Sequence, residues 1–274
     1  MKNTYEIYLI SDSTGETIDR IFIALKSQFP DFKYNINNFS FTRTQNQINE
    51  ILKNIKNSEN AIILYTLVDT DMSEFLLKEA KRYKIPCFGV LGELISNFSM
   101  LLKQKSLNIP SRQHKLNDEY YDRVEAIQFT IRHDDGNETD DIDDSDIIIL
   151  GVSRTSKTPT SIYLANRGYK TSNIPLINEK SIPEKIKMNK KKLCIVGLTT
   201  DPERLIDLRK NRMRSLKERE NTNYTNIKMI SAEVKLARKT FKKFNWPVID
   251  VTRKSVEETA AAIIKIHEIM NKNG

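Results

Sequence analysis

The sequence predicts an α/β protein with an N-terminal doubly wound parallel-sheet half and a C-terminal half organised around a phosphate-binding loop. Three observations carry that expectation. Short β-branched runs alternate with segments of helical periodicity, the pattern of parallel strands joined by crossover helices. One apolar run, 147–150, leads directly into Gly151-Val152-Ser153-Arg154-Thr155-Ser156-Lys157-Thr158 and then into a helical pattern. The alternation lapses over 106–146, so an N-terminal domain is expected at 1–105 and a second at 147–274, joined by a helix and an acidic linker.

The first strand is expected over 5–10, and its carboxyl-end loop opens a helix with Ile18, Ile21, Phe22 and Leu25 on one face. Ser13 and Glu16 have capping-box spacing, which by itself accounts for the hydroxyls. The same stretch also makes a candidate second anion site from Ser11, Ser13, Thr14 and Gly15, at the carboxyl end of a strand beside free helix amides. A strand near 36–41 follows, then a helix through Ile48, Ile51, Leu52 and Ile55. Strands at 61–66 and 87–91 alternate with helices at 72–83 and 94–102. Arg43 and Asp69 fall just after strands, where open sheets collect ligands. Solvated loop charges are the preferred reading of both.

A helix is expected over 117–131, with Tyr121, Val124, Ile127 and Gln128 at helical spacing. It ends in His133-Asp134-Asp135-Gly136, on these residues alone a polar helix end. The next nine residues, 138–146, hold five aspartates and one glutamate and read as a solvated linker.

The 151–158 stretch fits the P-loop pattern except at the second glycine, which is Ser156. Pro159 falls in the first helical turn, where a missing N–H costs no hydrogen bond, and Gly168 closes the helix. Free amides and the positive end of the helix dipole favour phosphate there. Lys157 would reach the β-phosphate, Thr158 would hold magnesium through its hydroxyl, and Arg154 adds a second cation. Plain α/β scaffolding with a chance motif match is the alternative.

Further on, strands are expected at 173–177 and 193–198, with Asp201 as N-cap and Pro202 at the first helical position. The helix over 204–220 carries Arg204, Arg209, Arg212, Arg214 and Arg219, read first as a solvated face and second as a lid or docking surface. A helix over 229–244 precedes a buried strand ending near Thr252. Ser255 and Glu258 form a capping box for the last helix, on which His267 is expected to be partly exposed.

Composition narrows the partners. Of 274 residues, 44 are Lys or Arg and 36 are Asp or Glu, a net charge of +8 that favours anionic ligands. No stretch suits a membrane span or signal peptide, so a cytoplasmic location is expected. Cys87 and Cys194 read as reduced core cysteines. The three histidines show no metal-ligand spacing, and no nucleic-acid motif is present.

Gly151–Pro159, Ser161-Ile162-Tyr163-Leu164-Ala165-Asn166 and Asn173-Ile174-Pro175-Leu176 resemble the pyruvate, phosphate dikinase regulatory proteins. The likeness extends over nearly the whole chain, through Ser11-Asp12-Ser13-Thr14-Gly15-Glu16-Thr17, His133-Asp134-Asp135-Gly136, Gly197-Leu198-Thr199 and Ile249-Asp250-Val251-Thr252. It implies a P-loop-kinase-like C-terminal half and a bifunctional enzyme. One activity is an ADP-dependent Ser/Thr kinase that inactivates pyruvate, phosphate dikinase and leaves AMP. The other is a phosphorylase that restores it with inorganic phosphate and releases pyrophosphate. The resemblance further implies that Gly151, Val152, Ser153, Arg154, Thr155, Ser156, Lys157 and Thr158 bind the nucleotide, with magnesium on Thr158. Catalytic roles fall to Lys157 and to Asp134 or Asp135. The alternatives are the same chemistry on phosphoenolpyruvate synthase, a small-molecule P-loop kinase, and a non-catalytic nucleotide sensor or nucleic-acid binder.

Overall fold

A computed structural model describes residues 4–56, 58, 60–114, 118–188, 193–217 and 223–272. Its contacts fall into two compact units, Met1–Lys115 and Leu116–Gly274.

In the first unit the chain runs β1 (Tyr5–Ser11), α1 (Glu16–Lys26), β2 (Tyr34–Phe39), α2 (Gln45–Ile55), β3 (Ala61–Thr66), α3 (Thr70–Arg82), β4 (Cys87–Gly89) and α4 (Gly92–Leu102). The sheet order is β2-β1-β3-β4, and every pairing is parallel. β1 is central because its four residues Ile7–Ile10 are apolar on both faces. Ile7 and Leu9 pack with Ile18 and Phe22 of α1. Tyr8 and Ile10 pack with Ile48, Ile51, Leu52 and Ile55 of α2 and with Leu76 and Ala80 of α3. The chain leaves β1 toward one edge and later returns to build toward the other, so a crevice forms at the carboxyl ends of β1 and β3.

The second unit comprises α5 (Asp118–Arg132), β5 (Ile147–Gly151), α6 (Lys157–Ala165), β6 (Thr171–Pro175), α7 (Glu184–Met188), β7 (Cys194–Thr199), α8 (Pro202–Ser215), α9 (Ile227–Lys243), β8 (Val248–Asp250) and α10 (Val256–Lys272). Its order, β6-β5-β7-β8, repeats the first unit's arrangement, again wholly parallel. The sheet is packed on both faces. Ile147 and Ile149 meet Leu164, Ala260 and Ile263 of α6 and α10. Ile148 and Leu150 meet Leu205 of α8 and Ile230, Val234 and Phe241 of α9. Gly197 lets α9 approach β7, since a Cβ there would lie 2.5 Å from the Phe241 ring.

Several expectations need correction. Residues 118–146 do not stand apart as a connection: α5 buries Ala126, Phe129 and Thr130, and Ile142 and Ser145 are core residues of the second unit. β6 begins at Thr171 rather than at 173, because a polar stretch forms its buried half. Thr171 N–H donates to Thr130 Oγ1 at 3.0 Å, and Ser172 and Ser145 hydroxyls bond at 2.7 Å. α8 stops at Ser215, short of the expected 220, and Arg219 lies outside the described residues.

The Ser13–Glu16 capping box does not form; Gly15, at φ 90°, is the N-cap of α1, without a side-chain cap bond. The box at α10 does form, with Ser255 N–H donating to Glu258 and Glu258 N–H to Ser255 Oγ. Asp201 caps α8 as expected, with Pro202 behind it. Asp69 is no solvated loop charge, since it caps α3 by accepting from Met72 N–H at 3.0 Å. Among the described residues no helix is long and apolar enough to cross a membrane.

Candidate functional site

β5 delivers the chain at Gly151 into the loop, and α6 starts at Lys157. Gly151 is required because a Cβ would sit 2.7 Å from Thr155 Oγ1 and 2.9 Å from the Leu198 carbonyl oxygen. The loop therefore folds tightly against β7. Thr155 Oγ1 donates to the Val152 carbonyl at 2.9 Å and Lys157 Nζ to the same oxygen at 3.2 Å. Arg154 (φ 73°) and Ser156 (φ 59°) both adopt the left-handed conformation. Ser156 thus holds the backbone shape of the expected glycine, at about 1–2 kcal/mol of strain. Strain of this kind concentrates where a loop is held for function. Ser156 makes no side-chain cap to α6, so the first helical amides have no partner from it.

Lys157 is 6% exposed. Burial pulls its pKa down from 10.5 to about 8, against the raising influence of Asp135 and Asp134 and with smaller lowering by Arg154 and Arg209. It lies on a cavity of about 760 Å³ that Asp135, Arg154, Thr158, Asn211 and Arg212 also line. A largely buried ammonium at a helix start is suited to a polyphosphate, whose negative charge would raise its pKa again.

Thr158 Oγ1 donates to Asp134 Oδ1 at 3.0 Å, and Asn173 Nδ2 bonds both Asp134 Oδ1 and Thr158 Oγ1. Asn173 Oδ1 is buried without a partner among the described residues. Three oxygen-bearing side chains from α6, β6 and the turn after α5 therefore converge at the loop's rim. That turn is anchored by His133, which is 1% exposed and stacks on Phe129 at 3.8 Å. Its Nε2 lies 2.7 Å from Asp141 Oδ1, which holds the Asp141 carboxyl below its ordinary range, and its carbonyl accepts from Asn173 N–H. Asp135, at φ 51°, points on into the cavity, and no hydrogen bond to its side chain is found among the described residues.

Arg209 departs from its expected solvated position. It is 1% exposed, paired with Glu233 at 2.6 Å, stacked over the Tyr224 ring at 4.5 Å, and bonded to the carbonyls of Tyr224 and Ser153. Tyr224 in turn shares its hydroxyl with Ser153 Oγ and Arg154 Nε at 3.0 and 3.3 Å. Arg209 and Tyr224 hold the loop's outer half in place, while Arg212 faces the cavity. The spacing of Leu205, Arg209 and Met213, all buried, is the sequence signal that marks Arg209 as an inward residue. Asn173 and Tyr224 have no comparable local signal. His133, Glu138 and Asp141 have ligand atoms within 4.8 Å of one another, a grouping that linear spacing does not display.

In the first unit, Ser11, Ser13, Thr14 and Gly15 do come together, around a cavity of about 190 Å³. Arg43 is not a free loop charge: its Nε donates to the Asp12 carbonyl at 2.8 Å and an Nη to Ser111 Oγ at 2.9 Å. Cys194 is buried and Cys87 half-buried, and burial pushes their thiols up to about 11 and about 12.

Two parallel α/β units, one with a strained cation-bearing loop between strand and helix, define the fold class, and sequence comparison gives it a family. The kinase/pyrophosphorylase family model matches residues 7–264, and the chain belongs to that family. Among its members it falls with the pyruvate, phosphate dikinase regulatory proteins. A protein of that name from Pelagibacter ubique (strain HTCC1062) is 65% identical over the full length of both chains. Others are 43% identical in Erythrobacter litoralis (95% of this chain, 93% of the relative) and 42% in Anaplasma phagocytophilum (98% and 96%).

Proposed function

We propose that this chain transfers the β-phosphoryl group of ADP to a threonine of pyruvate, phosphate dikinase, and removes it by attack of inorganic phosphate. In the first reaction the threonine oxygen bonds to phosphorus, the bond to the AMP oxygen breaks, and the hydroxyl proton leaves with a base. In the second a phosphate oxygen attacks the phosphothreonine, the bond to the threonine oxygen breaks, and pyrophosphate departs. The observation that carries this reading is the buried Lys157 in the Gly151–Thr158 loop, with Thr158, Asp134 and Asn173 at its rim.

Loop amides, Lys157 and Arg154 would neutralise charge on the phosphoryl oxygens, the main route by which proteins accelerate such transfers. Thr158 and Asp134 offer a hydroxyl and a carboxylate, hard oxygen donors that fit magnesium, and the unpartnered Asn173 oxygen on the same network agrees with a polar occupant. Magnesium there would supply electrophilic charge to the phosphate oxygens. Asp134 is thereby engaged, so Asp135, which faces the cavity and has no side-chain hydrogen bond among the described residues, is the group to accept the threonine proton. Arg209 and Tyr224 keep Ser153 and Arg154 in place. On this reading the first unit is a doubly wound sheet and the second a P-loop-kinase-like domain, acting in the cytoplasm. The shared strand order and the helices on both faces of each sheet support that description.

The test uses dikinase carrying labelled phosphothreonine, this chain, and either phosphate or buffer alone. The reading predicts labelled pyrophosphate that depends on added phosphate and is lost in Thr158→Val. Label released as inorganic phosphate without added phosphate would replace the phosphorylase with a hydrolase. If neither occurs with dikinase but both occur with phosphoenolpyruvate synthase, the chemistry stands and the target changes.

A further inference from the structure

The loop after β1 builds a second cradle that the reading above leaves unused. Ser11, Asp12, Ser13, Thr14, Gly15 and Thr66 line the cavity of about 190 Å³ at the carboxyl ends of β1 and β3. Gly15 turns the backbone into α1 with no side-chain cap, so the N–H groups of Glu16 and Thr17 point toward whatever sits before the helix. Ser13, which its spacing would assign to capping, instead has its Oγ accepting from Ser111 Oγ at 3.0 Å and stays 8% exposed.

Thr66 is an independent sign of a ligand. It is 4% exposed, it lines this cavity, and its hydroxyl has no hydrogen-bond partner among the described residues. The residue is buried but its hydroxyl opens onto the cavity, where it can donate to a ligand oxygen. Asp12 adds selectivity. It is 4% exposed, with Oδ2 accepting from Val68 N–H at 2.7 Å. A carboxylate beside helix-start amides repels an anion without protons but accepts a hydrogen bond from one that keeps a proton. Burial raises the Asp12 pKa, so this is a carboxylate that gains from a donor.

We propose that this cavity is a binding site for a protonated phosphate group, with inorganic phosphate as its smallest bearer. The α1 amides and the Thr66 hydroxyl donate to the phosphate oxygens, and Asp12 accepts the remaining proton. Sulfate, which carries no proton near neutral pH, is excluded by the same carboxylate.

The site is built from the first unit and the Lys157 loop from the second, so the full chain carrying Lys157→Met isolates it. At pH 8, equilibrium dialysis with labelled inorganic phosphate is expected to find one phosphate bound per Lys157→Met chain, with no competition from sulfate. Thr66→Val, nearly isosteric, should weaken that binding by about tenfold, and Asp12→Asn should make sulfate a competitor. Amide NMR of the unsubstituted protein provides a readout free of folding effects: Glu16 and Thr17 signals should move with phosphate and not with sulfate. Absence of phosphate binding to Lys157→Met, equal competition by sulfate, or phosphate binding that leaves Glu16 and Thr17 unmoved would each overturn the proposal. None of these results bears on phosphoryl transfer at the Lys157 loop.

Discussion

Lys157 costs the fold stability, and the cost is measurable through pH. Its folded pKa of about 8 lies below the ordinary 10.5, chiefly through burial. Between those values the unfolded chain binds the proton and the folded one releases it, so stability rises with pH through that window. Below about pH 8 both states are protonated and the full penalty applies; above about 10.5 neither is charged and it vanishes. At about 1.36 kcal/mol per pH unit, the fall from 10.5 to about 8 corresponds to about 3 kcal/mol. Lys157→Met, of similar length and uncharged, should be more stable than the natural protein at pH 7 and should lose that advantage by pH 10.5. Urea unfolding of both proteins at pH 7, 8.5, 9.5 and 10.5 measures this, and their difference cancels the titration of other lysines and tyrosines. A difference independent of pH would refute the argument that burial, and not pairing, governs Lys157. The same penalty explains how the loop favours phosphate: a bound polyphosphate recharges the ammonium, so binding should take up a proton between pH 8 and 10.

Other perturbations separate the roles of neighbouring residues. Arg209→Met should destabilise the protein by about 2–3 kcal/mol in urea, less than a fully buried pair because Glu233 is partly exposed. A loss below about 0.5 kcal/mol would mean that Arg209 does not hold the loop. Ser156→Gly should stabilise by about 0.5–1 kcal/mol, as relief of left-handed strain exceeds the added freedom of the unfolded chain; destabilisation would contradict the observed φ. Gly197→Ala should cost about 1–3 kcal/mol against the Phe241 ring while leaving nucleotide affinity unchanged in calorimetry. Asp135→Asn should lower threonine phosphorylation by about a hundredfold or more without changing ADP affinity, and a loss of affinity instead would assign it to nucleotide binding.

Much of this architecture is legible in the sequence because the signals are local. The run Ile147–Leu150, fully buried, announces β5, and the spacing from Gly151 to Thr158 announces the turn into α6. Capping chemistry marks α8 and α10 for the same reason. What escapes local reading is decided by distant partners. Thr171 and Ser172 look like loop and begin a buried strand, since Thr130 and Ser145 satisfy them from elsewhere in the chain. Arg209 looks like one member of a solvated arginine face, and only Glu233, Tyr224 and Ser153 make its burial tolerable. At Ser13 the capping spacing is present but Gly15 takes the cap position, a choice set by the tight turn after β1.

The measurement that bears most directly on the account follows the β-phosphoryl group itself. ADP labelled at its β-phosphate is mixed with magnesium, pyruvate, phosphate dikinase and either the natural chain or Lys157→Met, and the dikinase is mapped for label. The account predicts label on a dikinase threonine with the natural chain, AMP formed in equal amount, and neither product with Lys157→Met. Label transferred equally well by Lys157→Met would contradict the assignment of phosphoryl transfer to the Gly151–Thr158 loop.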